Sequence, residues 1–316
     1  MKNLMKAVMY DKKGSPTKFI YCDVEIPSPT DNEVLIKVKA TSVNAADYRS
    51  MKMGIIPKKK IFGADIAGIV ESVGTNIQKF KPGDEVIGEL SNIGFGGFAE
   101  YVVAPEKALI QKPAKISFEE AAALPLASVT ALQGLRNIGL IQKGHHVLIV
   151  GSSGGVGTFA VQLGHYFGAI VTGVCSTKHV EQTKSLGADY VIDYKKEDFT
   201  ITNRTYDLIL AINGNFPLSV YKRMLNPSGI YVMVGGTLSQ MFKSILFAWL
   251  MSFGSKKMRF LMAKSNQQDM EYIASLVEAR YIIPIIDKRY SLDKTADAMQ
   301  YIAEGHAQGK VLINVN

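Results

Sequence analysis

Thiols are scarce in this chain of 316 residues, which has two cysteines, Cys22 and Cys175, in stretches that read as separate strands. A disulfide framework is thereby excluded, and a reducing, cytoplasmic setting is expected. No apolar run reaches the roughly 18 residues a spanning helix needs. The N-terminal MKNLMKAVMYDKKGS has too short an apolar stretch for a signal peptide and carries no cleavage pattern. Also missing are zinc-finger spacings, an RNP-like motif, an arginine-rich tail, internal repeats and low-complexity tracts. Lysine and arginine number 36 against 28 aspartates and glutamates, a net charge of +8. That excess is mostly scattered, the sharper runs being Lys58 to Lys60 and the set Lys256, Lys257, Arg259 and Lys264. It reads as a solvated basic surface rather than a nucleic-acid footprint.

What is present suits a folded protein with many tight turns: 47% hydrophobic residues, 20% charged, and 28 glycines spread among apolar runs. The length exceeds what one core usually serves, so two domains are expected. Up to about Lys112 short strand patterns (KAVMY, EVLIKVKATSV, DIAGIVESVG, DEVIGEL, FAEYVVAP) alternate with glycine and proline turns, predicting a small antiparallel β domain of barrel type. Ser117 and Glu120 then form a capping box ahead of an alanine-rich helix broken at Pro125. Strands and helices alternate from His146 to Gly236, which predicts a parallel sheet with helices on both faces. The tail returns to helix, strand, helix and a final KVLINV strand able to rejoin the first domain.

The buried-strand pattern His146 to Val150 runs straight into GSSGGVG, residues 151 to 157, and then into a helix pattern. Such a turn lets the backbone approach a pyrophosphate, whose charge rests on the amides of the helix N-terminus. Ser153, Gly154, Gly155 and Val156 are therefore candidate cofactor contacts. The match to G-x-G-x-x-G departs at Ser152, and a plain strand–helix corner is the alternative. At the end of the next strand, roughly 20 residues on, an acid would bond the adenosine ribose. AIVTGVCSTKH offers none there. Ser176 and Lys178, joined by Tyr194 from the following strand, supply a hydroxyl and a cation suited to the extra phosphate of NADP, so NADPH is expected over NADH.

Taken together, EVLIKVKATSVNAADYR, FGADIAGIVESVG with KPGDEV, GGFAEYVV, LPLASVTAL, GSSGGVGTFAVQLG, SLGADYVIDY and GHAQGKVLINV resemble the medium-chain dehydrogenase/reductase superfamily, in its zinc-independent quinone oxidoreductase branch. The resemblance implies an α/β chain: a discontinuous GroES-like β-barrel catalytic domain (1–124 and 266–316) with a Rossmann, doubly wound NADP-binding domain (125–265) inserted. It places the active site in the cleft between them. It also implies that Thr130, Gly235 and Gly236 line the nicotinamide pocket and that the protein is a homodimer; Asn213 is a further candidate from its own place at a strand end on the same carboxyl edge. Zinc alcohol dehydrogenases of the superfamily carry a cysteine where this chain has Asn44, a histidine where it has Ala64 and a third ligand near Leu126. Zinc needs three or four N, S or O ligands, so no metal is expected.

Without a Lewis acid, hydride transfer suits an acceptor that disperses charge itself, a quinone or an α,β-unsaturated carbonyl. The protein then orients the reactants and donates to the acceptor oxygen. Asn44 and Tyr48 are the candidates. Asn44 could instead bond only its own turn, and Tyr48 could be a wall, with water as proton source; Asp47 and Arg49 read as structural. The apolar, basic-flanked segment 239–267 could admit a lipophilic acceptor, touch a membrane surface or a second subunit, or belong to the core. A function of another class, an NADPH-binding sensor or membrane-associated adaptor with little turnover, stays open at this point.

Overall fold

The computed structural model describes residues 3–11, 18–201, 203–212, 216–235, 254–305 and 307–315. They form two compact units. The first comprises Met1–Val129, Ser265–Arg280 and Pro284–Asn316, the second Thr130–Lys264 and Tyr281–Ile283.

In the first unit, β1 (Leu4–Tyr10) and β2 (Phe19–Glu25) make an antiparallel pair. A seven-stranded sheet holds β3 (Glu33–Val43), β4 (Asp65–Val73), β5 (Glu85–Glu89), β6 (Tyr101–Pro105), β7 (Leu109–Gln111), β14 (Ile286–Ser291) and β15 (Lys310–Asn314), in the order β14-β15-β3-β4-β5-β7, with β6 also on β3. The long strand β3 organises it. Val34 and Leu35 are both buried; from Ile36 the strand alternates, with Ile36 and Val38 buried between half-buried Lys37 and Lys39, while Ala40 to Val43 are buried throughout. That is the pattern of a strand covered on one face and then on both. The same β3 pairs with β6 through Glu33–Lys37 and with β15 through Ala40–Val43. The C-terminal strand thus rejoins the first unit, as its sequence suggested. It brings β14 with it in parallel, the one departure from the expected antiparallel arrangement.

Ser117 and Glu120 cap α2 (Phe118–Ala122) reciprocally, and α3 (Pro125–Leu132) starts on Pro125 itself, at the helical position where a missing N–H costs nothing. Also in this unit are α1 (Ala45–Lys52), which follows β3 directly, α7 (Gln267–Glu278) and α8 (Thr295–Ala303).

The second unit carries an all-parallel sheet of β8 (His146–Val150), β9 (Ile170–Cys175), β10 (Tyr190–Asp193), β11 (Tyr206–Ile212), β12 (Leu225–Val234) and β13 (Lys257–Leu261), in the order β10-β9-β8-β11-β12-β13. Its helices are α4 (Gly155–Tyr166), α5 (Val180–Ser185) and α6 (Leu218–Arg223). The sheet grows outward on one side from β8 to β10, then returns to place β11 against β8. This is the doubly wound arrangement, and the carboxyl ends of β8 and β11, where the strand order reverses, are where ligands of such sheets generally bind. Sequence reading did not foresee β13: KMRFL lies in the apolar, basic-flanked segment 239–267, for which no strand is expected. Its register on β12, Met258 beside Tyr231 and Leu261 beside Val234, makes it an edge strand. Of the segment 239–267, residues 239–253 lie outside the described residues.

Candidate active site

Four conditions make the glycine turn. Gly151 has φ +87°, a conformation open to glycine. The amides of Gly151 and Ser152 both donate to Val174 O at 3.1 Å, tying the turn to β9. Gly154 caps α4 in an extended conformation, and among the described residues a Cβ there would meet only Gly151 O, at 3.9 Å. Gly157 is the opposite case: a Cβ would stand 2.1 Å from Gly151 O and 2.7 Å from Ser152 C. The first-turn amides of a helix lack carbonyl partners of their own, so a backbone cradle at this N-terminus fits a pyrophosphate.

Ser152, the departure from the glycine pattern, is fully buried. Its hydroxyl donates to Val174 O at 3.1 Å and lies 3.3 Å from Thr183 Oγ1. The room it needs comes from the neighbouring strand, since a Cβ on Gly173 would meet Thr183 Cγ2 at 2.5 Å and Ser152 Oγ at 3.1 Å. A glycine absent from the loop is present on β9 instead. Ser153, Gly155 and Val156 stand half-exposed around the turn.

The adenosine-side candidates meet at one sheet edge. Parallel pairing sets Cys175 beside Asp193, so Ser176, which opens the turn Thr177–His179, and Tyr194, whose amide donates to Cys175 O at 3.1 Å, leave adjacent strands together. Lys178 and Tyr194 are exposed there. Asp193, an acid not counted in the sequence reading, also stands at this edge. Burial pushes its carboxyl up, but the Thr177 hydroxyl, the Lys195 amide and the Lys195 and Lys196 charges together hold it below the ordinary aspartate range. Gly235 follows β12 with φ +66°, and Thr130 is buried in α3. Asn213 and Gly236 lie outside the described residues.

In the first unit four strand ends converge. Register puts Val311 beside Val43, hence Lys310 next to Asn44, and sets Ser42 beside Asp65 and Asp65 beside Glu89. The polar side chains so gathered are buried: Lys310 is 2% exposed, Asp65 0% and Asn44 7%. Lys310 Nζ donates to Asn44 Oδ1 at 2.6 Å and to Asp65 Oδ2 at 3.2 Å, and Asn44 Nδ2 donates to Asp65 Oδ2 at 2.8 Å. Asp65 also accepts from Ser42 Oγ at 2.7 Å and from the Leu126 amide at 2.9 Å. Ala64 is buried.

Asp47, on the first turn of α1, accepts from the amides of Asn44 at 2.8 Å and Gly63 at 3.2 Å. Burial first, then the Asp65 charge, pushes its carboxyl up to about 7 against those two bonds and Lys310. Glu89, which accepts from Ser91 N at 2.8 Å, is also pushed up, chiefly by burial. Tyr48 is half-buried on α1 with Lys52 Nζ 4.7 Å from its ring centre. Among the described residues no group of three or more His, Cys, Asp or Glu side chains is placed to hold a metal.

Sequence reading named Asn44 but not its hydrogen-bond partners Asp65 and Lys310. A signal existed: each is a charged residue leading an apolar strand, DIAGIV and KVLIN, where solvent-facing charge is not expected.

Comparison with known proteins agrees with this architecture. The family pattern described as "Alcohol dehydrogenase GroES-like domain" matches residues 30–114, and that described as "Zinc-binding dehydrogenase" matches 186–313. A chloroplast envelope quinone oxidoreductase homolog of Arabidopsis thaliana is 34% identical over 98% of both chains. The chloroplastic NADPH-dependent alkenal/one oxidoreductase of the same plant is 31% identical over 98% of this chain and 79% of its own. Among solved structures, the quinone oxidoreductase from Coxiella burnetii superposes with a TM-score of 0.89 at 28% identity, over 99% of this chain and 100% of that one. The chain belongs to the medium-chain dehydrogenase/reductase superfamily, on its quinone oxidoreductase branch.

Proposed function

We propose that this protein is an NADPH-dependent oxidoreductase that reduces a quinone or an α,β-unsaturated carbonyl without a catalytic metal. The observation that carries the reading is the cluster around Asn44. Where zinc dehydrogenases of the superfamily have a thiolate and an imidazole, this chain has an amide and a methyl group. An ammonium, Lys310 Nζ, lies 2.6 Å from the amide oxygen. That donor set suits hydrogen bonding to a charge-dispersing oxygen rather than zinc ligation. The names of the relatives, quinone oxidoreductase and alkenal/one oxidoreductase, point to the same acceptor chemistry.

When bound, the nicotinamide supplies the hydride. The roles of the chain's own residues are to hold the pyrophosphate on Ser153, Gly154, Gly155 and Val156, and the 2′-phosphate on Ser176, Lys178 and Tyr194. Thr130, Asn213, Gly235 and Gly236 are assigned to the nicotinamide end. Asn44 donates to the acceptor oxygen as negative charge collects there. Tyr48, or water, returns the proton. The cytoplasmic setting rests on two unpaired cysteines and the homodimer on family resemblance. No described helix is long and apolar enough to cross a membrane.

The test uses metal-stripped protein with NADPH or NADH and a panel of quinones, enones and plain ketones, following nicotinamide absorbance. Turnover of quinones or enones with NADPH is expected. Turnover confined to plain ketones, or appearing only after zinc is added, overturns the reading.

A further inference from the structure

Lysine is among the residues least often fully buried, and Lys310 is buried at the start of β15 by a backbone held on both sides. Its own amide donates to Ile285 O at 2.7 Å. The preceding Gly309 has φ +132°, and a Cβ there would lie 2.4 Å from the same carbonyl. The strand therefore enters with its first side chain already directed inward. Taking an ammonium out of water costs several kcal/mol, so the contacts it gains identify what it does there.

Neutralising Asp65 is one account. Yet Asp65 is already supplied by Ser42, Asn44 and the Leu126 amide, all uncharged donors. The shorter of the ammonium's two contacts goes to the amide of Asn44, 2.6 Å against 3.2 Å to the carboxylate. A lysine can only donate and a carboxylate can only accept. Between them the amide of Asn44 has one permitted orientation, because a flip would set nitrogen against Nζ and oxygen against Asp65. One N–H of Nδ2 goes to Asp65, and the second has no partner among the described residues. An amide whose oxygen accepts from an ammonium is polarised, which strengthens its remaining N–H as a donor.

We propose that Lys310 is a positioning residue: by bonding Asn44 Oδ1 it fixes the amide and sharpens its second N–H as the donor to the acceptor's carbonyl oxygen. The proposal rests on the function given above. It adds a specificity: the group offered is a donor only, so it favours a carbonyl or enolate oxygen over a hydroxyl that must itself donate.

The experiment compares full-length wild type, Lys310→Met, Lys310→Gln, Asn44→Ala and the Lys310→Met/Asn44→Ala pair, using NADPH and an enone. Lys310→Met is expected to lower kcat by about 10- to 100-fold, short of the roughly 100- to 1,000-fold typical of losing an oxyanion donor outright, with KM for NADPH unchanged. Lys310→Gln keeps an N–H donor without the charge, falls between, and carries the test should Lys310→Met not fold. The double variant should be no slower than Asn44→Ala alone. Losses that multiply, or full kcat in Lys310→Met, overturn the proposal.

A second readout does not depend on turnover. With ¹⁵N-asparagine labelling, the Asn44 side-chain pair, identified by its loss in Asn44→Ala, should shift and exchange faster in Lys310→Met. An unchanged pair overturns the proposal. Absence of any quinone or enone turnover in wild type refutes the proposed function instead, while the amide pair still reports whether Lys310 holds Asn44.

Discussion

Replacing Asp65 with asparagine changes one oxygen for an amino group and leaves the shape intact. The consequence follows from the donors around it: Ser42 Oγ, Asn44 Nδ2 and Lys310 Nζ all face Oδ2, and the Leu126 amide faces Oδ1. Whichever way the new amide turns, its NH₂ opposes a donor. Lys310, 2% exposed, also loses its carboxylate partner. At 3.2 Å and an effective dielectric of about 20, the Coulomb interaction is about 5 kcal/mol. Removing one partner of a buried pair typically costs about 3–5 kcal/mol. Asp65→Asn is therefore expected to destabilise the first unit by about 3–5 kcal/mol. Native-state hydrogen exchange of β3 and β4 amides reads that unit specifically. In a Lys310→Met background no buried ammonium is left behind, so the same change should cost about 2 kcal/mol less. A loss under about 1 kcal/mol for Asp65→Asn, or an unaltered loss in the Lys310→Met background, refutes the reasoning.

The glycine turn separates folding from binding. Gly157→Ala should destabilise the second unit, because its Cβ meets backbone at 2.1 Å, whereas Gly154→Ala should melt like wild type yet bind NADPH more weakly, its Cβ entering the cradle. Thermal melts with and without NADPH distinguish them; equal melts without NADPH would contradict the geometry. Lys178→Ala should weaken NADPH by about 10- to 100-fold, in line with a lost charged hydrogen bond of about 1.5–3 kcal/mol, and leave NADH nearly unchanged. Equal losses in titration calorimetry would mean Lys178 does not meet the 2′-phosphate. Asp47 is pushed up to about 7 by burial, above the roughly 3.9 of an unfolded aspartate. Between those values the folded state binds the extra proton, so its contribution to stability is greatest at low pH. It falls by up to about 1.4 kcal/mol per pH unit and levels off above 7. Denaturant midpoints of wild type minus Asp47→Asn should decline from pH 4 to 7; a rising difference would show the carboxylate, not the acid, to be the favoured folded form.

The sequence by itself determined the features that are local. The Ser117–Glu120 capping box, the break at Pro125 and the strand–turn–helix at residues 146–166 are each written within a few neighbouring residues, and the structure repeats them. That position 44 holds an amide and position 64 a methyl group was equally readable, since a residue type cannot be altered by folding. Tertiary structure decided what those residues meet. Lys310 and Asn44 are 266 positions apart and Lys310 and Asp65 are 245 apart. Only the antiparallel register of β15 on β3 and of β3 on β4 joins them. KMRFL became an edge strand for the same reason, because β12 offered it an unpaired parallel edge. A register is a long-range choice made by packing, and a one-residue slip would turn Lys310 to the opposite face and leave Asn44 without its cation.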